Sequence, residues 1–77
     1  MFTVENENDC TAIITLDDGG YYEDVEVTLD DTCVFIAQEI VGSERRQVLE
    51  LSHQQLKDII AAMDLSEGIY YQRRSLL

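Results

Sequence analysis

Between two segments rich in β-branched and aromatic residues, Thr11-Ala12-Ile13-Ile14-Thr15-Leu16 and Tyr21 to Leu29, the chain carries Asp17-Asp18-Gly19-Gly20. Aspartate and glycine supply the positive-φ positions that a tight antiparallel connection needs. In the second segment Val25, Val27 and Leu29 alternate with Asp24, Glu26 and Thr28. That period of two belongs to a strand with one face in a core and the other in water. A β-hairpin is therefore expected, and the rest of the fold must be built onto it.

The following residues extend the sheet. Asp30-Asp31-Thr32 reads as a second turn, and Cys33 to Val41 as a strand apolar on both faces at its start, as an inner strand would be. Gly42 to Arg46 reads as a loop and Gln47 to Leu51 as a last short strand. Phe2-Thr3-Val4 is expected either to add a short edge strand or to fray. Ser52 with Gln55 three residues later forms an S-x-x-Q capping box, and Leu51 with Leu56 forms the accompanying hydrophobic staple. Leu56, Ile59, Ile60 and Met63 then recur on one helical stripe, and Gly68 is a natural stop, which predicts a helix from about 53 to about 65. The expected fold is α+β: a three- to four-stranded antiparallel meander with one C-terminal α-helix packed on one face. Residues 1–77 read as a single domain, with 1–9 and 73–77 the segments least tied down.

Charge is sorted along the chain. Residues 1–44 hold twelve acids and no Lys or Arg; residues 45–77 hold four acids and all five bases, so the halves carry -12 and +1 and together the net -11. An acidic chain of 8.8 kDa with a pI near 4.1 is not a nucleic-acid binder working through phosphate neutralisation. No apolar run approaches the roughly 20 residues of a membrane span, and the acidic start is unlike a targeting segment. The expected compartment is the cytoplasm of a bacterial host.

Chemistry of other kinds finds little support. Asp17-Asp18-Gly19-Gly20 lacks the ligand spacing of a calcium loop, with Tyr21 and Tyr22 standing in ligand territory. His53, at the first helical position, reads as a surface residue, and Glu23 and Asp24 would point to opposite faces of a strand, which is wrong for shared acid–base work. No catalytic, cofactor-binding or metal-ligating residue is expected, and the chain reads as a non-enzyme. Cys10 and Cys33 read as two reduced thiols, bridged only if their strands are adjacent.

On the expected hairpin, Asp24 and Glu26 share the face opposite Val25 and Val27, and Asp17, Asp18, Asp30 and Asp31 extend that line of charge at both ends. Glu23 adds to it. Such an array would draw a partner built to hold phosphates. Tyr21-Tyr22 and Tyr70-Tyr71 should each place one ring inward and one outward, leaving Tyr22 for partner contact. Arg45-Arg46 and Arg73-Arg74 could pair with acids of a second copy, which would favour a homodimer.

With its acidic first half, its strand meander (TAIITLDDGGYYEDVEVTL) and its single capped helix (LSHQQLKDIIAAMD), the chain resembles in type the short acidic accessory proteins of bacterial viruses and other mobile elements, among them DNA mimics and anti-CRISPR inhibitors. The resemblance implies non-catalytic inhibition: occupation of the nucleic-acid site of a basic host complex, such as a CRISPR effector, without direct contact with nucleic acid or membrane. The alternative expectation is a small dimeric structural or assembly protein whose acidity serves only solubility.

Overall fold

A computed structural model describes residues 1–71, which form five strands and one helix: β1 (Phe2–Asn6), β2 (Thr11–Thr15), β3 (Val25–Leu29), β4 (Val34–Glu39), β5 (Arg46–Leu51) and α1 (His53–Ala62). The strands make one antiparallel sheet in chain order. The fold is thus α+β, with five strands where three or four were expected. The added strand is β1, whose Phe2 to Asn6 pair with Thr15 to Thr11. Residues 73–77, expected to be loose, lie outside the described residues, as does the Arg73-Arg74 doublet.

The β2–β3 connection is longer than a tight hairpin turn. Tyr21 to Asp24, expected within the strand, belong to a loop over 16–24 organised by the Asp17 side chain. One Asp17 carboxylate oxygen accepts from the backbone N–H groups of Tyr21 (2.9 Å) and Tyr22 (3.1 Å), and the other from Gly19 (3.3 Å). Those amides are thereby diverted from the ladder, as aspartate in turns commonly does. Gly20 supplies the loop's positive φ of 71°. In consequence Tyr21 and Tyr22 both point into solvent rather than one inward and one outward, and Tyr70 and Tyr71 are exposed too.

Because side chains alternate along a strand, the register sorts the sheet into two unlike faces. One holds the row Val4–Ile13–Val27–Ile36–Leu49. It is flanked by a row containing Phe2 and Val25 and another containing Leu29, Val34 and Leu51. No charged residue stands in these three rows. Every charge carried by a strand (Glu5, Glu26, Glu39, Arg46 and Glu50) lies on the opposite face.

The capping box forms as the sequence dictates: the Ser52 hydroxyl accepts from the Gln55 N–H (3.0 Å), and the Gln55 side-chain oxygen accepts from the Ser52 N–H (3.0 Å). The helix ends at Ala62, short of 65, with Met63 as its C-cap. Gly68 does not end the helix; its φ is not positive, and the Tyr70 ring lies against it while the Tyr70 hydroxyl donates to the Ser66 carbonyl (3.0 Å).

The helix leaves most of the sheet face that was expected to receive it open: only the row Leu29–Val34–Leu51, at the end where the helix begins after Ser52, is covered, with Val34 fully buried there. Its attachment is at its base, where His53 Nε2–H donates to the carbonyls of Asp30 (2.6 Å) and Cys33 (3.3 Å). His53 is therefore a half-buried anchor and not the free surface residue expected. Beyond half-buried Leu56 the stripe is open, with Ile59, Ile60 and Met63 exposed. Among the described residues only Val34 is fully buried.

Candidate partner-binding surface

The charged face of the sheet is organised around Arg46. Its guanidinium donates to the Glu26 carboxylate at 2.9 Å, crossing from β5 to β3 above the intervening β4. The β4 residue paired with Glu26 is Ala37, whose methyl leaves room for the crossing. Glu39, paired with Arg46 in the register, stands beside it. A shallow hollow at this end of the sheet is lined by Ile14, Glu23, Asp24, Glu26, Glu39 and Arg46. Among the described residues Glu23, Asp24 and Glu39 have no ion-pair partner, so the hollow holds four carboxylates against one committed guanidinium.

The expected line of carboxylates is not continuous. Asp17, Asp18, Glu23 and Asp24 belong to the 16–24 loop at one end of the sheet, with Glu26 next to them on β3. Asp30 and Asp31 lie at the far end of β3, about 17 Å away along a five-residue strand. Nor are all of these acids available. Asp17 is engaged in holding its loop, and the N–H groups of Tyr21 first, then Tyr22 and Gly19, hold its carboxyl below the ordinary value despite partial desolvation. Asp18 pairs with the Met1 amino group at 2.6 Å. The Asp30 carboxylate accepts from the N–H of Asp31, a local turn contact. The structure therefore gathers Glu23, Asp24 and Glu26 together and leaves Asp31 apart.

Tyr22 stands with Tyr21 over a second shallow depression formed with Glu23, Glu39, Ile40 and Val41, which places an exposed ring beside the acidic hollow. Glu39 was not singled out by the sequence. Its only signal was parity with Glu26 across a strand pair, which cannot be read before the register is known. Arg46, expected to reach an acid of another copy, is used within its own chain.

The thiols of Cys10 and Cys33 are free. They precede β2 and β4, which β3 separates, so two strand spacings of about 4.8 Å put them beyond disulfide reach of roughly 7 Å. Burial first, and then the charge and hydrogen bond of Glu7, push the Cys10 thiol up. Among the described residues no three His, Cys, Asp or Glu side chains are grouped to hold a metal ion, and no helix is long and apolar enough to cross a membrane.

Residues 3–62 match a family model described as a domain of unknown function, DUF8831. No curated protein and no solved structure matches the chain.

Proposed function

The chain belongs to the DUF8831 family, and we propose that it is a non-catalytic acidic binding protein that docks on a basic, nucleic-acid-handling partner and occupies the surface that partner uses for phosphates. The observation that supports this reading is the sorting of charge. All strand-borne charge lies on one face, and the carboxylates of Glu23, Asp24 and Glu39 meet no compensating base there among the described residues. A predominantly negative field on a sheet steers a complementary partner and fixes its orientation. Each exposed charge contributes about 1 kcal/mol or less, so affinity would rest on their number. Tyr22 would add contact area at the margin.

A pull-down from bacterial lysate at low and then raised salt tests the reading, with the Glu23→Lys/Asp24→Lys double variant run beside the wild type. Both residues are exposed in a loop, so the reversal leaves the sheet intact. The expected result is a set of basic, nucleic-acid-binding prey that elutes as salt rises, is displaced by a short DNA duplex, and is lost from the variant. Prey unchanged by the reversal, or an absence of basic prey, would return the acidic face to a solvated surface. The structural or assembly reading would then stand in its place.

A further inference from the structure

We propose that the uncharged face of the sheet is a homodimer interface, on which the same face of a second copy packs about a twofold axis with the helical stripe at its margin. The inference is independent of the acidic reading, because the charged faces would point outward from such a dimer, with the 16–24 loop, whose Glu23 carbonyl accepts from Gln38 Nε2 (3.0 Å) on the uncharged face, at its margin.

The first ground is surface area. A folded chain of 8.8 kDa is expected to expose about 4,800 Å² and to have a radius of gyration of about 11.5 Å. This chain exposes 7074 Å², with a radius of gyration of 14.8 Å. The excess, about 2,300 Å², is spread over the bare sheet face, the open helical stripe and the loops, of which the sheet face and the stripe are the parts a second copy would cover. Among the described residues a single fully buried side chain, Val34, is a small core for a sheet of five strands.

The second ground is that the chain cannot cover this face by itself. Five strands of five or six residues present a footprint of roughly 24 by 17–20 Å, about 400–480 Å². A ten-residue helix about 15 Å long and 10 Å wide covers less than half of that, even when laid flat upon it. A second sheet, packed at about 10 Å, matches it in extent and flatness.

The third ground is charge, and it selects the occupant. Two copies each carrying -11 repel one another over most of their surface. The rows around Val4–Ile13–Val27–Ile36–Leu49 are the sheet surface where that repulsion has no source. An isologous contact requires a patch that complements itself, and an uncharged apolar one does so. A basic partner would meet the other face.

Sedimentation equilibrium of the full chain across the micromolar range tests the proposal with two neighbouring substitutions. Leu49→Lys and Val48→Lys alter residues 56% and 63% exposed in the single chain, but on opposite faces of β5. The wild type should sediment at twice 8.8 kDa. Leu49→Lys should weaken association by about a hundredfold or more, because it buries an unpaired ammonium, whereas Val48→Lys should change it by less than about threefold. Raised salt should tighten the dimer by screening repulsion between copies. A well-folded wild-type monomer, or equal effects of the two substitutions, would overturn the proposal. Should Leu49→Lys fail to fold, the wild-type melting temperature decides. A melting temperature that rises with protein concentration supports an obligate dimer, and one that does not refutes it.

Discussion

Arg46 and Glu26 sit on strands that are not neighbours, yet they meet at 2.9 Å across the methyl of Ala37. The pair spans three of the five strands and uses the base nearest the acidic hollow. Both side chains are partly exposed, at 47% and 40%, so its contribution to stability is limited by solvent screening to about 1 kcal/mol or less. Replacing Arg46 by Met keeps the stem and removes the cation. Thermal melts should show a small loss, while stopped-flow association with a basic partner should become faster because Glu26 is released. Slower association would mean that the hollow needs its guanidinium.

Asp17 couples loop geometry to pH. Its carboxyl is held below the ordinary value of 3.8 by the Tyr21, Tyr22 and Gly19 amides. A depressed folded value means that stabilisation is complete above 3.8 and is lost as pH falls through the folded value. Acid titration of the wild type should therefore show a component below pH 3.8 that Asp17→Asn lacks. Asp17→Ala should lower the melting temperature at neutral pH by a few degrees, with faster exchange of the Tyr21 and Tyr22 amides.

Removing the helix cap should be felt beyond the helix. Ser52→Ala abolishes the acceptor for the Gln55 N–H and should cost about 1 kcal/mol, or roughly 4–8 °C in melting temperature for a domain of this size. Gln55→Ala removes the reciprocal bond and should cost less. A melt unchanged by Ser52→Ala would show that the helix draws its stability from contacts other than its cap.

Cys10 should be a slow nucleophile. With its thiol pushed up by burial and by Glu7, alkylation by iodoacetamide near neutral pH should lag behind that of a free small thiol, and Glu7→Gln should accelerate it. Mild oxidation should not yield an intrachain Cys10–Cys33 bridge, because β3 keeps the two apart. Mass spectrometry after alkylation detects both outcomes.

The elements most legible in the sequence were those specified by short-range chemistry. The Ser52–Gln55 box and the alternation of Val25, Val27 and Leu29 are local patterns with one structural solution each. The pairing of β1 with β2 was not legible, since Phe2-Thr3-Val4 is too short to declare a partner. Nor was the early end of the β3 ladder, where a single side chain, Asp17, outcompetes the neighbouring strand for two amides. The open helical stripe escaped for another reason. Periodicity reports that Ile59, Ile60 and Met63 share a face but carries no information on what lies opposite. Of the candidate site, the residue types were readable and their grouping was not: Glu39 joins the hollow, and Asp30 and Asp31 leave it, only once the register is known.

The strict chain order of the sheet also bears on how the molecule forms. Each strand pairs only with the strands next to it in sequence, so every ladder closes a short loop and none waits for a distant segment. Low contact order of this kind favours rapid zipping, which can begin at any hairpin and spread to its neighbours. During synthesis β1 and β2 can pair before β5 exists, and the helix is added last. On the proposed dimer, hairpin pairing would be unimolecular, and the final phase, in which the sheet gains its core against a second copy, would have a rate that scales with protein concentration.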